Sequence, residues 1–188
     1  MHGKAVYIVH GYMAGPSDHW FEWLKGKIEE KGGEAHIIAM PNSSSPDADT
    51  WTQTLEEHIG EPDNNTFIVA HSLGGISTLR FLGQHPDKAI GGLILVSCFE
   101  DKLPTIPDLD DFIVPKGFDA EDIKNVAANR AIFTSDNDPY VDPELTQSLA
   151  HSLGAPLYQI HGGGHFLAED GYTEFSSVWE KLEAFAIH

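Results

Sequence analysis

A serine between an apolar run and a helical run is the first feature of this sequence that could do chemistry. The apolar run 66–70 leads into His71-Ser72-Leu73-Gly74, and apolar residues recur at helical spacing after it. A sharp turn at this place projects the serine hydroxyl above a sheet, and the next backbone N–H lies at the positive end of a helix. We therefore predict Ser72 as a nucleophile and the N–H of Leu73 as a donor to an oxyanion. A helix cap is the alternative interpretation of the same serine.

A histidine and an aspartate later in the chain could activate this serine. A serine hydroxyl is a weak nucleophile unless a base accepts its proton, and a third group must orient the base. Asp138 lies in an acidic loop after the fifth apolar run, and His165 follows three glycines after the sixth. Serine, aspartate and histidine in this chain order are typical of an acyl-transfer triad. We predict Asp138 as the orienting acid and His165 as the base.

Each of these loops contains a second candidate. Asp136 is the alternative acid, but Asp138 stands just ahead of the turn into a helix, whereas Asp136 can satisfy N–H groups of the loop. His161 is the alternative base, but His165 precedes the apolar Phe166, which can anchor it. A metal site of the two histidines is disfavoured, because i, i+4 residues share a face only on a helix and glycines separate these two. No metal or other cofactor is expected.

The loop after the first apolar run can supply a second oxyanion donor. His10-Gly11-Tyr12 directly follows the run 5–9, and an acyl-transfer site needs a donor from a loop in this position. We predict the N–H of Tyr12 as the partner of the Leu73 N–H, with a simple strand-to-helix turn as the alternative interpretation. Residues that adjoin these parts are further candidates for the substrate pocket: His10, Gly11, His71 and Phe166.

Six apolar or β-branched runs alternate with helical segments along the chain. The runs span 5–9, 36–39, 66–70, 92–97, 131–134 and 157–160. Most lack polar alternation, as strands covered on both faces do. This pattern predicts an α/β fold, a parallel sheet of about six strands with helices on both faces, in a single domain over 1–188. Because loops at the carboxyl ends of such strands lie together, Ser72, Asp138 and His165 should converge.

The connections between the runs predict the helices and one long loop. Helices are expected over 20–28, after Ser45-Pro46, after Ser72, over 119–127, after Asp142-Pro143, and after a cap at Thr173. Residues 99–118 hold three prolines and five acidic residues without a sustained period. We predict a long irregular loop there, either a lid over the site or an ordinary surface excursion. As a lid, its acidic residues would favour neutral or cationic substrates.

The composition restricts partners and location. The 188 residues include 11 basic and 29 acidic ones, a formal charge of −18, which repels nucleic acid phosphates and anionic membranes. No run approaches the roughly 20 apolar residues of a membrane helix, and no basic signal-peptide head is present. We therefore expect a cytoplasmic protein. The partner expected from the candidate triad is a small-molecule acyl substrate, and the oligomeric state stays open. The single cysteine, Cys98, is interpreted as a small buried apolar residue.

Taken together, the motifs resemble those of the small serine hydrolases of the α/β-hydrolase superfamily, of the YdeN and retinoblastoma-binding-protein type. The resemblance covers essentially the full length and is carried by His10-Gly11, His19-Trp20, the A-H-S-L-G segment at 70–74, Asp138-Pro139 and Gly163-Gly164-His165-Phe166. Ala70 departs from the usual G-x-S-x-G at its first glycine. The resemblance implies a minimal α/β-hydrolase fold without a large cap domain and a triad of Ser72, Asp138 and His165.

The resemblance implies that the protein hydrolyses small esters or peptide-like amides. From the residues themselves we expect an acyl-enzyme on Ser72, as in a carboxylesterase. An amidase, an aminopeptidase or an acyltransferase would use the same three residues. A protein-binding module with a vestigial site is the alternative outside enzymes.

Overall fold

A single parallel sheet of six strands organises the chain in the computed structural model, which describes residues 1–187. The strands are β1 (Ala5–Val9), β2 (Glu34–Ile38), β3 (Thr66–His71), β4 (Gly92–Val96), β5 (Arg130–Ser135) and β6 (Leu157–Ile160). Their order across the sheet is β2-β1-β3-β4-β5-β6, and every neighbouring pair is parallel. The predicted sheet is confirmed. His188, the last residue of the predicted domain, lies outside the described residues.

Helices cover both faces of this sheet. They are α1 (Phe21–Glu30), α2 (Ala48–Ile59), α3 (Gly74–Gly83), α4 (Asp110–Ile113), α5 (Ala120–Val126), α6 (Pro143–Ser152) and α7 (Ser176–Ile187). Side chains of α1 and α7 pack on one face and those of α2 to α6 on the other. Successive residues of β3 alternate between the two cores, because strand side chains point to opposite faces. No cap domain is inserted between the strands within residues 1–187.

Aspartates mark where three of the helices begin. Asp119 and Asp142 accept hydrogen bonds from the first turns of α5 and α6, in agreement with the predicted starts. At α2 the cap is Asp47, which accepts from the Thr50 N–H, so the helix begins after the predicted Ser45-Pro46. The prediction of Thr173 as the cap of the last helix is wrong, since α7 begins at Ser176.

An aromatic cluster explains the late start of α7. Phe175 is buried before the helix begins and stacks on Phe166 with ring centroids 4.8 Å apart. The edges of Trp20 and Tyr172 also contact Phe175, at centroid distances of 5.6 and 4.9 Å. These contacts hold the chain outside the helix up to Phe175, which helical periodicity alone does not reveal.

Residues 99–118 are more ordered than an irregular loop. A 3₁₀ turn over Pro107–Leu109 runs directly into α4, and Leu103, Leu109 and Phe112 are buried. The Phe112 ring packs edge-on against Trp51 of α2 with centroids 5.3 Å apart. Burial of these side chains, rather than a repeating pattern, gives this stretch its conformation. It is called segment 99–118 below.

Two further predictions concern single features. Cys98 is fully buried, and burial raises the pKa of its thiol to about 12, in agreement with its interpretation as an apolar residue. In the part of the chain described, no helix combines the length and the apolar composition that crossing a membrane requires.

Candidate active site

The turn between β3 and α3 holds Ser72 in an unusual backbone conformation. Its φ is +54°, a left-handed value that a serine adopts only where the surroundings impose it. The Ser72 N–H donates to the Val96 carbonyl of β4 at 2.9 Å. A Cβ on Gly74 would lie 2.5 Å from the His10 carbonyl oxygen, so only glycine fits there. The turn therefore packs tightly under Ser72 and directs its hydroxyl away from the sheet.

A continuous line of hydrogen bonds joins the three predicted residues. His165 Nε2 lies 3.0 Å from Ser72 Oγ, and His165 Nδ1 lies 2.7 Å from Asp138 Oδ2. A carboxylate can only accept, so a neutral His165 carries its proton on Nδ1 and has Nε2 free to accept from the serine. The other oxygen, Asp138 Oδ1, accepts from the N–H groups of Tyr140 and Val141 at 2.9 and 3.0 Å. The geometry can thus transfer a proton from the serine to the histidine.

The two alternative residues form a separate pair at the surface. His161 Nδ1 lies 2.5 Å from Asp136 Oδ2, and the His161 side chain is 97% exposed. Asp136 Oδ1 accepts from the Gly162 N–H at 2.8 Å, and this bond, followed by His161, lowers the pKa of the Asp136 carboxyl. Asp136 therefore satisfies an N–H group of the glycine loop, as the sequence analysis expected of the aspartate that is not the acid.

The glycine loop is held in place by residues that the sequence analysis did not identify. Asn137 Oδ1 accepts from the Gly164 N–H at 2.7 Å, and Asp170 Oδ2 accepts from the His165 N–H at 3.0 Å. Gly164 has φ +59°, and a Cβ there would lie 2.5 Å from the carboxyl carbon of Asp170. These bonds set the backbone from which the His165 ring projects. Polar loop residues are common, so nothing in the sequence singled these two out.

His71 lies behind the site rather than in a pocket. Its ring is fully buried, donates from Nε2 to the His165 carbonyl at 2.8 Å, and packs against the His165 ring with centroids 4.8 Å apart. Burial, reinforced by the nearby His165, lowers the pKa of His71 well below its ordinary value. His71 is thus a neutral support for the loop that carries His165.

The other three predicted pocket residues also lie beneath the surface of the site. His10 is buried and accepts from the Met40 N–H at 2.9 Å, and Phe166 is fully buried in the aromatic cluster around Phe175. Gly11 packs on the turn between β3 and α3 that carries Ser72, called the elbow below, where a Cβ on Gly11 would lie 3.1 Å from the Ser72 Cβ. None of His10, Gly11, His71 and Phe166 lines the cavity beside Ser72. These four residues therefore support the site from behind, a position that adjacency in sequence does not distinguish from the wall of a cavity.

A cavity of about 320 Å³ opens beside Ser72 and His165. Segment 99–118 contributes Leu103, Ile106 and Leu109 to its walls. The acidic residues of that segment do not line the cavity, so any effect of their charge on a substrate would act from a distance. No lysine or arginine lines the cavity either, over the chain as described.

Two polar side chains that the sequence analysis left without a role, His19 and Glu169, reach the cavity. His19 Nδ1 accepts from the Ala168 N–H at 2.9 Å, so a neutral His19 carries its proton on Nε2. Burial lowers the pKa of His19, which favours this neutral form. Glu169 makes no hydrogen bond or ion pair with another described residue. Besides its apolar walls and Ser72 and His165, the cavity is therefore bordered by the His19 imidazole and by a carboxylate, that of Glu169.

The predicted oxyanion donors adjoin the same space. Gly11 brings the loop after β1 close to the elbow: a Cβ added to this glycine would lie 3.3 Å from the Leu73 nitrogen. Within residues 1–187, the backbone N–H groups of Tyr12 and Leu73 donate to no protein acceptor. Neither group is therefore committed to a protein acceptor.

The chain is similar to known serine hydrolases along most of its length. The family model described as serine hydrolase matches residues 6–184. YdeN of Bacillus subtilis is 40% identical over 97% of this chain and 96% of its own length. Serine hydrolase RBBP9 of Rattus norvegicus is 27% identical over 78% of this chain and 77% of its own.

The crystal structure of the B. subtilis ydeN gene product superposes with a TM-score of 0.94 at 39% identity, covering 98% of this chain and 100% of that one. With the observed strand order, this similarity confirms the α/β-hydrolase fold that the sequence motifs predicted. The chain belongs to the serine hydrolase family.

Proposed function

We propose that this protein is a carboxylesterase that hydrolyses small acyl esters through Ser72, His165 and Asp138. The observation that carries the proposal is the unbroken hydrogen-bonded line from Ser72 Oγ through His165 to Asp138, at 3.0 and 2.7 Å, beside a cavity. A serine in this arrangement has a base in contact and an acid that orients the base.

In the proposed reaction, Ser72 Oγ attacks the ester carbonyl carbon while its proton passes to His165 Nε2. Asp138 stabilises the resulting imidazolium, and the N–H groups of Tyr12 and Leu73 donate to the oxyanion. Collapse of the tetrahedral intermediate breaks the bond to the alcohol, which takes the proton from His165 and leaves an acyl-Ser72 ester. Water, deprotonated by His165, then releases the acid and restores the serine.

The cavity supports a small substrate. Its volume of about 320 Å³ lies at the lower end of the roughly 300–1,000 Å³ of ligand sites. Apolar side chains such as Leu103, Ile106 and Val141 suit an aliphatic acyl group. With one carboxylate and, among the described residues, no lysine or arginine at the walls, the cavity suits neutral or cationic esters better than anionic ones. We also propose a cytoplasmic location. The −18 formal charge repels phosphates and anionic membranes and so argues against a nucleic acid or membrane partner.

The test is hydrolysis of p-nitrophenyl butyrate by the wild type and by Ser72→Ala. Loss of the nucleophile should lower kcat by on the order of 10⁴-fold or more. A fluorophosphonate probe should label the wild type and not this variant. Ser97→Ala is the matched control, because Ser97 also has a left-handed backbone, with φ +50°, but is buried at the end of β4. Full activity in Ser72→Ala would refute the proposal.

The same three residues would serve an amidase, an aminopeptidase or an acyltransferase. Anilides matched to the esters, and product analysis with an added alcohol or amine acceptor, separate these reactions. A folded wild type that the probe does not label would instead favour a binding module with a vestigial site.

A further inference from the structure

The side chain of Arg80 ties helix α3 to the end of segment 99–118. Arg80 is only 6% exposed, although it lies on the helix that begins directly after the elbow. Its Nη2 donates to the carbonyls of Phe112 and Pro115, both at 2.5 Å, and its Nε donates to the Lys116 carbonyl at 3.2 Å. One guanidinium therefore holds several carbonyls of a short stretch of chain.

The packing around Arg80 is as close as its hydrogen bonding. Its guanidinium carbon lies 5.3 Å from the centre of the Phe112 ring. Gly117 has φ +72°, and a Cβ there would lie 3.1 Å from Arg80 Cγ. No carboxylate forms an ion pair with Arg80 in the described part of the chain, so backbone carbonyls are its main partners. An uncharged or shorter side chain cannot reproduce this fork of donors.

Two other contacts hold segment 99–118 in place. Thr105 Oγ1 donates to the Tyr140 carbonyl at 2.5 Å, in the loop that carries Asp138. Lys116 Nζ lies 3.3 Å from Glu100 Oε2, which joins the two ends of the segment. The Arg80 contacts connect this segment by hydrogen bonds to the helix that follows the nucleophile.

We propose that Arg80 is a positioning residue for substrate selection, which fixes the apolar wall of Leu103, Ile106 and Leu109 and thereby sets the preferred acyl chain length. This inference rests on the proposed esterase function. A wall held in position gives each acyl methylene a constant apolar contact, whereas a loosened segment admits water and does not distinguish chain lengths. Arg80 itself does not line the cavity beside Ser72.

The size of the effect follows from the burial of methylene groups. One fully buried methylene should raise kcat/KM by about fourfold, so the two extra methylenes of butyrate should make it exceed acetate by about 16-fold in the wild type. Arg80→Met keeps an unbranched side chain and removes the donors. We expect its butyrate-to-acetate ratio to fall to about one to three, through a higher KM for butyrate with kcat retained. Arg80→Lys, which keeps the charge without the fork, should lie between the two.

Arg130 provides a matched control. Its guanidinium also donates to several carbonyls, including those of Leu153 at 2.7 Å and Ala127 at 3.0 Å, away from the cavity. Arg130→Met should leave the chain-length ratio unchanged. Hydrogen exchange reports the position of the wall, because the N–H groups of Ile106, Leu109 and Val114 donate backbone hydrogen bonds within segment 99–118. They should exchange faster in Arg80→Met only.

Three results would overturn the inference: unchanged exchange in Arg80→Met, faster exchange with an unchanged chain-length ratio, or the same loss of selectivity in Arg130→Met. If Arg80→Met does not fold, Arg80→Lys and Ile106→Ala replace it. Ile106→Ala shortens the wall directly, and an unchanged ratio in that variant also contradicts the inference. Failure of the esterase proposal is distinguishable, because Ser72→Ala would then retain activity.

Discussion

Replacing Asp138 by asparagine should remove activity while leaving the fold intact. In the wild type, Asp138 Oδ1 accepts two backbone N–H bonds, from Tyr140 and Val141, and Oδ2 faces His165 Nδ1 at 2.7 Å. The asparagine oxygen must replace Oδ1, because only an acceptor satisfies the two N–H groups. The asparagine NH₂ then faces His165 and donates to Nδ1, which can no longer carry the proton.

This change forces His165 into the wrong tautomer. With its proton on Nε2, the ring cannot accept from Ser72 Oγ, which lies 3.0 Å away. The loss should be about 10⁴-fold in kcat/KM, equivalent to about 5.4 kcal/mol of transition-state stabilisation. Stability should change little, since the loop keeps its hydrogen bonds. Asp138→Ala, in contrast, leaves two N–H groups without an acceptor and should lower the free energy of unfolding by about 1–3 kcal/mol.

The assay is kcat/KM for p-nitrophenyl butyrate at pH 8, with urea unfolding of the same samples. Asp136→Asn is the matched control, because Asp136 pairs with the exposed His161 and lies in the same loop. Its activity should stay within about threefold of the wild type. The reasoning is refuted if Asp138→Asn loses less than about tenfold, or if Asp136→Asn loses as much as Asp138→Asn.

Two further predictions concern charge and protonation. Glu169→Gln should lower the kcat/KM preference for a choline ester over its uncharged 3,3-dimethylbutyl analogue by about two- to fivefold at low salt, the worth of one exposed charge. Glu22→Gln removes the same single negative charge at an exposed position of α1 and should not alter this preference. An equal loss in both variants would mean that the total charge of the protein, rather than Glu169, sets the preference. Because burial lowers the pKa of His71 far below 6.5, the unfolded chain binds its proton first as the pH falls. The free energy of unfolding should therefore decrease below pH 6.5, by about 1.4 kcal/mol per pH unit for this histidine. Urea unfolding between pH 7.5 and 5.5 should show a shallower decrease in His71→Asn, and parallel curves would contradict this.

Several parts of the structure could be predicted because their cause is local in sequence. The apolar runs predict the parallel strands, since strands buried on both faces need no polar alternation. Helices α5 and α6 begin within a residue of the predicted starts at Asp119 and Asp142-Pro143, because each start depends on contacts with only the next few residues. The prediction of Thr173 as a cap was wrong, because aromatic packing around Phe175 makes α7 begin only at Ser176.

At the candidate site, the sequence by itself determined residue types and their order along the chain. Ser72, Asp138 and His165 each follow a strand, and parallel strands end at one edge of the sheet. The choice of Asp138 over Asp136 also followed from position, and the structure pairs Asp138 with His165. Their catalytic roles stay predictions for the variants above.

Only the tertiary structure decided what surrounds this line of residues. His71 and Phe166 adjoin the site in sequence but support it from behind, because burial depends on which segments pack above them. Glu169 reaches the cavity, and the acidic residues of segment 99–118 do not. The hydrogen bonds of Arg80 reach carbonyl groups more than 30 residues away along the chain, and no local sequence pattern predicts such a pairing. The sequence thus determined the chemistry that is available, and packing between distant segments determined the walls around it.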